Sequence, residues 1–289
     1  MRRLRISAIS FLNTAPLMWD FNQGKPPVPG QESTIHGPLE VSYTVPSRCA
    51  EELAAGQADI GIIPAITYAS IPDLVILPDA AIAATEAVRS ILMVSRKPLD
   101  EVRTVAADTS SRTSVVLAEV LFRKYLGGPR KYEPMEPDLE AMLRQCDAAL
   151  LIGDPALRVP LQAPGYLTFD LAQMWRHHTG LPFVFAFWAI RAAALKEAHQ
   201  ESDLAQVFRS SRDHGLEPRN IDAIVRAWAP HVRIAAEEAR RYLTQHIHYY
   251  LDENCLRGLE FFFSQAADCG LISGVPKLRF AGGPVPVAR

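Results

Sequence analysis

Long apolar runs are missing from this chain of 289 residues. No window reaches the roughly 18 uninterrupted apolar residues of a membrane helix. Residues 181–190 are apolar but too few, and their Pro182 and Trp188 suit a buried strand. An export signal is missing as well. The basic start Met1-Arg2-Arg3-Leu4-Arg5 runs into Ser7, Ser10, Asn13, Pro16 and Asp20, where such a signal needs roughly 7–15 apolar residues. The expectation is a cytoplasmic protein with no membrane partner. A surplus of one charge is also lacking: 30 Lys and Arg face 32 Asp and Glu, for a net charge of −2. A general nucleic-acid surface needs a basic stripe, so no nucleic-acid partner is expected and any anion site must be local. Four cysteines (Cys49, Cys146, Cys255 and Cys269) are scattered with no C-x-x-C pair. They suggest free thiols in a reducing compartment.

Familiar catalytic and metal motifs are absent too. There is no H-E-x-x-H; His177 and His178 are adjacent and diverge on a helix, and His246-x-His248 has the wrong spacing for one helical face. No metal site is expected. Neither a Walker loop nor G-x-G-x-x-G occurs, and Gly127-Gly128 reads as a helix C-cap. Without a G-x-S-x-G elbow, hydrolase chemistry has little support. Tyr249-Tyr250 and Phe261-Phe262-Phe263 read as core or lobe-packing residues.

What is present is alternation. Leu4–Ile9 reads as a strand, Thr14–Phe21 as a helix with Pro16 in its first turn, and the Pro- and Gly-rich stretch 24–38 as a loop. Leu39–Val45, Asp59–Ile63, Leu74–Leu77, Ala80–Ala84 and Ser90–Ser95 read as strands, with a helix over Pro46–Ala55. A second series follows: strands at Val102–Ala107, Lys131–Met135, Ala148–Ile152, Leu167–Phe169 and Phe183–Ile190, with helices at Ser111–Leu126, Leu139–Arg144 and Leu171–His178. Helices over about 200–213, 218–228, 235–249 and 254–268 end in a tail from Val275 that reads as loosely ordered. Two α/β series and a helical return predict two lobes: residues 1–87, an inserted lobe of 88–189, and 190–289 returning to the first. In open α/β sheets ligands bind beyond the carboxyl ends of the strands, here in a cleft between the lobes.

The stretch Asp108-Thr109-Ser110-Ser111-Arg112-Thr113-Ser114 stands where a strand ends and a helix begins. The first N–H groups of a helix lack internal partners, and that end is positive, so it holds a carboxylate or phosphate well. Ser110, Ser111 and Thr113 add hydroxyls and Arg112 a planar two-pronged cation. The plainer reading is that Ser110 or Ser111 caps the helix. Ser10, Asn13 and Thr14, then Pro64, then Gly153 and Asp154 follow three other strands. Asn13 and Asp154 also read as caps of the helices that follow them.

Five segments, in order, resemble chorismate dehydratase, which opens the futalosine route to menaquinone: Arg5–Leu17, Gly56–Pro64, the Asp108–Thr113 group, Leu151–Leu157 and Thr179–Ala186. The likeness covers most of residues 3–272; the segment 24–38 is longer than the family leads one to expect and has no assigned role. The resemblance implies an α/β, two-lobed periplasmic-binding-protein-like (type II) fold with a ligand cleft between the lobes. It implies loss of water from chorismate to give 3-[(1-carboxyvinyl)oxy]benzoate, no metal or organic cofactor, and a product passed to the next pathway enzyme. Asn13 is then the candidate catalytic residue, and Ser10, Thr14, Pro64, Ser90, Ser110, Ser111, Arg112, Thr113 and Asp154 are candidate substrate contacts. Alternatives are 1,4-dihydroxy-6-naphthoate synthase of the same pathway, or a non-catalytic carboxylate-binding protein.

Overall fold

The computed structural model describes residues 3–27, 33–160, 165–198 and 201–282. Its strands are β1 (Leu4–Ile9), β2 (Thr34–His36), β3 (Leu39–Thr44), β4 (Ile60–Pro64), β5 (Leu74–Ala84), β6 (Ile91–Ser95), β7 (Thr104–Asp108), β8 (Lys131–Met135), β9 (Ala148–Ile152), β10 (Leu167–Asp170) and β11 (Phe183–Arg191). The helices are α1 (Trp19–Asn22), α2 (Pro46–Ala54), α3 (Thr113–Tyr125), α4 (Leu139–Gln145), α5 (Gly153–Leu157), α6 (Leu171–Thr179), α7 (Ala192–Ala198), α8 (Glu201–Gly215), α9 (Pro218–Val232), α10 (Ala236–Arg241) and α11 (Glu253–Asp268).

They build two sheets, ordered β2-β3-β1-β4-β11-β5 and β10-β6-β9-β7-β8. Three adjacent strands of each are parallel: β3-β1-β4 in the middle of the first sheet and β9-β7-β8 at one end of the second. Both faces of the second sheet are covered, and its strands show it. In β6, Ile91 and Met93 join the large core while Leu92 and Val94 join a smaller one; in β9, Leu150 and Ile152 face the former and Ala149 and Leu151 the latter. A strand apolar on both faces reads as an unbroken apolar run, which is why these strands stand out in the sequence.

Several elements depart from expectation. Phe183–Ile190, expected to complete the second series, lies between β4 and β5 of the first sheet, antiparallel to both. The chain therefore crosses back near 180–182. Leu74–Leu77 and Ala80–Ala84 form one strand, bulged against β11 where Asp79 adopts φ +73°. The loop 24–38 contains β2, paired to β3; residues 28–32 of it lie outside the described ones. Thr14–Phe21 is not one helix. A 3-10 segment, Leu12–Met18, precedes α1, and Pro16, which has no N–H to give an α-ladder, sits inside it. The helix expected over 235–249 ends in a π-helical turn, Tyr242–His246, because His248 then pairs with Ala83 of β5. The tail is pinned as far as it is described: the Ile76 N–H donates to the Arg279 carbonyl at 2.7 Å and the Ala281 N–H to the Ile76 carbonyl at 3.0 Å. Residues 283–289 lie outside the described ones. Tyr249, Phe262 and Phe263 are buried as expected, whereas Tyr250 and Phe261 are exposed. All four cysteines are free, and three are buried. No described helix is long and apolar enough to cross a membrane.

Candidate active site

Between the sheets lies a narrow cavity of about 50 Å³, well below the roughly 300–1,000 Å³ of open small-molecule clefts. Its wall is mostly apolar: Ile9, Phe11, Ile82, Ile91, Ile152 and Phe185. Its polar end is the start of α3, with Ser111, Arg112, Thr113 and Ser114, faced by Asn13. The only charged side chain among the described lining residues is Arg112.

The loop before α3 is built around Asp108. Its carboxylate, 1% exposed, accepts the Ser110 N–H at 2.9 Å, the Ser110 hydroxyl at 2.6 Å and the Ile152 N–H at 3.3 Å. Burial pushes its pKa up against these three donors. Neither serine caps α3: the N-cap is Arg112, with no side-chain cap bond. The Ser110 hydroxyl is spent on Asp108, and the Ser110 carbonyl accepts the Ser47 N–H of α2 at 3.1 Å. Thr113 accepts the Ile66 N–H at 3.2 Å and donates to the Phe185 carbonyl at 3.1 Å, fastening α3 to the first sheet. Ser111 differs. It is 4% exposed, lines the cavity, and its hydroxyl has no partner. A buried hydroxyl without a partner costs about 1–3 kcal/mol, so Ser111 is an unfilled polar position at the helix start.

Arg112 reaches sideways, pairing with Glu51 of α2 at 3.1 Å; the two side chains are 50% and 55% exposed. Asn13 does not cap a helix either, since the 3-10 segment starts at Leu12; its Oδ1 accepts the Thr14 hydroxyl at 3.2 Å. Asp154 caps the neighbouring element instead of its own, accepting the Leu12 N–H at 3.0 Å. Burial raises its pKa from 3.8 to about 7, opposed by that N–H and by Arg158.

Of the predicted residues, Asn13, Pro64, Ser111, Arg112 and Thr113 line the cavity, while Ser10, Thr14, Ser90, Ser110 and Asp154 do not. Ser90 lies one bond behind, its hydroxyl accepting from Tyr242 at 2.8 Å. Gly153, which lines the cavity, has φ +60°, and a Cβ there would meet Phe11 at 2.4 Å. The apolar wall went unpredicted, though Phe185 and Ala186 lie within the resembling block Thr179–Ala186. His248, Asp252 and Cys255 bring potential ligand atoms within 4.8 Å. That group already serves as a cap: Asp252 accepts the Cys255 N–H at 2.9 Å and lies 2.7 Å from His248.

A family model described as menaquinone biosynthesis matches residues 4–268. The chain belongs to this menaquinone biosynthesis family. Among curated relatives, chorismate dehydratase of Thermus thermophilus is 30% identical over 240 residues, covering 78% of this chain and 85% of that one. Chorismate dehydratase of Campylobacter jejuni is 31% identical over 160 residues, covering 54% and 56%. Among solved structures, the periplasmic aliphatic sulphonate binding protein SsuA of Escherichia coli superposes with a TM-score of 0.61 at 15% identity, covering 96% of this chain and 94% of that one. The fold of this family member is thus the two-lobed periplasmic-binding-protein type.

Proposed function

We propose that this chain is a chorismate dehydratase, a hydro-lyase acting in the cytoplasm on the route to menaquinone. The observation that carries the reading is an apolar cleft closed at one end by the start of a 13-residue helix, with the unpartnered hydroxyl of Ser111 there. Chorismate has an apolar ring and two carboxylates. The start of α3 suits a carboxylate, and the walls of Phe11, Ile82 and Phe185 suit the ring. Arg112 is the anchor we assign to a carboxylate. Its present pair with Glu51 is exposed, and such pairs are worth about 0–1 kcal/mol, so a carboxylate in the desolvated cleft replaces Glu51 at little cost.

The reaction is redox-neutral. A proton leaves the ring carbon that bears the enolpyruvyl ether, hydroxide leaves the neighbouring carbon, the electrons of the C–H bond form the new ring double bond, and proton and hydroxide depart as water. Aromatisation supplies driving force, so placement and desolvation are the main demands on the protein. No carboxylate or imidazole side chain is among the described lining residues. That favours a substrate carboxylate as proton acceptor, with Asn13 orienting the leaving hydroxyl. The two lobes, joined by crossings near 85–90 and 180–182, enclose the substrate, and the product passes to the next pathway enzyme.

The test is turnover. Purified protein, dialysed against a chelator, should convert chorismate to a product one water lighter with an aromatic absorbance. Binding of chorismate without any product would support a carboxylate-binding protein instead. Steady chorismate with neither binding nor product would remove the reading altogether.

A further inference from the structure

A second cavity meets the first at the start of α3. It measures about 450 Å³, inside the roughly 300–1,000 Å³ of small-molecule clefts. Among the described residues the two cavities share Ser111 and Arg112 alone. The walls of this chamber come from both lobes. The first lobe supplies Ile66, in the 3-10 segment Ala65–Ala69, and Leu271 and Ile272, which follow α11. The second supplies Val115 and Val116 of α3 and Tyr132 of β8. The body of any occupant therefore meets mainly apolar surface.

The polar groups of the lining divide into spent and unspent. Thr67 donates to the Pro64 carbonyl at 2.6 Å, Ser70 to the Thr67 carbonyl at 3.0 Å and Thr109 to Glu136 at 2.9 Å. Asp108 is the one acid among the described lining residues, and its carboxylate is taken up by Ser110 and Ile152. Ser111 is unspent: it is 4% exposed and its hydroxyl has no partner. The Tyr132 hydroxyl is buried without a partner as well. Beside Ser111 the first N–H groups of α3 have no side-chain cap, and such groups lack partners within the helix. Arg112 adds a cation whose pair with Glu51 is half exposed. Free donors and positive charge at one end call for an anion. The apolar remainder calls for a hydrocarbon body, since an inorganic anion would leave those walls uncovered. A carboxylate on an apolar body meets both demands.

We propose that this chamber is a second ligand site, for a small carboxylate with an apolar body, and that its occupant competes with the substrate for Ser111 and Arg112. The competition rests on the dehydratase reading, which brings a substrate carboxylate to the same helix start from the narrow cavity; binding in the chamber does not. One helix start and one guanidinium serve both cavities. Two carboxylates drawn to that point repel each other, so the two sites fill in turn. An occupant of the chamber is thus an inhibitor that touches both lobes and leaves Asn13 and the apolar walls of the narrow cavity uncovered.

The probe is biphenyl-4-carboxylate, titrated calorimetrically into the full chain. Acetate is the control for charge without body, and biphenyl-4-carboxamide for body without charge. The carboxylate should bind at least about tenfold tighter than either control, as expected for hydrogen bonds to a charged group. Val116→Trp narrows the chamber from α3 and lies outside the lining of the narrow cavity. It should weaken the probe at least about tenfold, while kcat and KM on chorismate stay within about threefold. Leu271→Trp narrows the chamber from the segment after α11 and takes its place if thermal melts show that Val116→Trp does not fold. In turnover the probe should raise the KM for chorismate and leave kcat unchanged. Three results would each overturn the proposal: a carboxylate that binds no tighter than the carboxamide, equal affinity in the parent and the narrowed variants, or a probe that lowers kcat with KM unchanged. Narrowed variants that lose chorismate along with the probe also overturn it, because the chamber is then part of the substrate site itself. If the parent does not convert chorismate, the dehydratase reading fails, and the calorimetry still decides whether the chamber binds a carboxylate.

Discussion

Asp154 should make the protein less stable as pH rises, and Asp154→Asn should remove that loss. The carboxylate is 6% exposed, and only the Leu12 N–H and the Arg158 charge favour its ionised form. Burial wins, raising the pKa from 3.8 to about 7. The folded state therefore holds this proton more tightly than the unfolded one. Below the unfolded value both states are protonated and the stabilising contribution is complete. Between the two values only the folded state keeps the proton, and stability falls with pH; above the folded value the contribution is gone. Three pKa units at about 1.4 kcal/mol each give roughly 4 kcal/mol over the whole window, of which about 3 kcal/mol falls between pH 5 and pH 8. Asparagine keeps an oxygen for the Leu12 N–H and carries no charge to bury. Denaturant melts of parent and Asp154→Asn at pH 5, 6, 7 and 8 isolate this group, because the raised pKa values of Asp108 and Asp170 cancel in the difference. The variant should gain on the parent by about 3 kcal/mol across that range, or several degrees in Tm at roughly 2–4 °C per kcal/mol. A difference that ignores pH, or that grows toward acid, would refute the assignment of a protonated, desolvated Asp154.

Two further outcomes test the cleft. Arg112→Ala should leave the melting temperature nearly unchanged, since its pair with Glu51 is exposed, yet lower catalytic efficiency on chorismate by about 30-fold to several-thousand-fold, the 2–5 kcal/mol of a desolvated charge pair. Arg112→Lys should recover only part of this, lacking the planar fork; a folded Arg112→Ala enzyme within threefold of the parent would mean Arg112 is not the anchor. Gly153→Ala should destabilise by more than about 1 kcal/mol and cut activity, because its φ is +60° and the added Cβ would press on Phe11; an unchanged melt would show that the loop relaxes freely.

The alternation of strands and helices was legible because sheets covered on both faces write themselves as short apolar runs. What such a run cannot say is which sheet it joins. Phe183–Ile190 announces burial and nothing more; its place between β4 and β5 depends on pairings with residues about a hundred positions away. The same limit governs the site. The start of α3 was readable from Asp108–Thr113 alone, since strand, hydroxyls and helix are consecutive. The use of each hydroxyl was not: Thr113 is spent on Phe185 and Ile66, and Ser110 on Asp108. Tyr242 sat within a helical pattern, and no local signal marked the π-turn that aims it at Ser90.

The bonds between the two lobes differ in how readily they break. Thr113 holds Phe185 and Ile66, Asp154 holds Leu12, and Tyr242 holds Ser90, all with buried groups. Parting any of these leaves a desolvated donor or acceptor, at about 1–3 kcal/mol each. Beside the buried Ser47 N–H to Ser110 carbonyl bond, α2 and the α3 start also meet through Arg112 and Glu51, both half exposed, where water takes over each partner and the cost is about 0–1 kcal/mol. Parting the lobes therefore costs far more at these buried bonds than at the exposed Arg112–Glu51 pair.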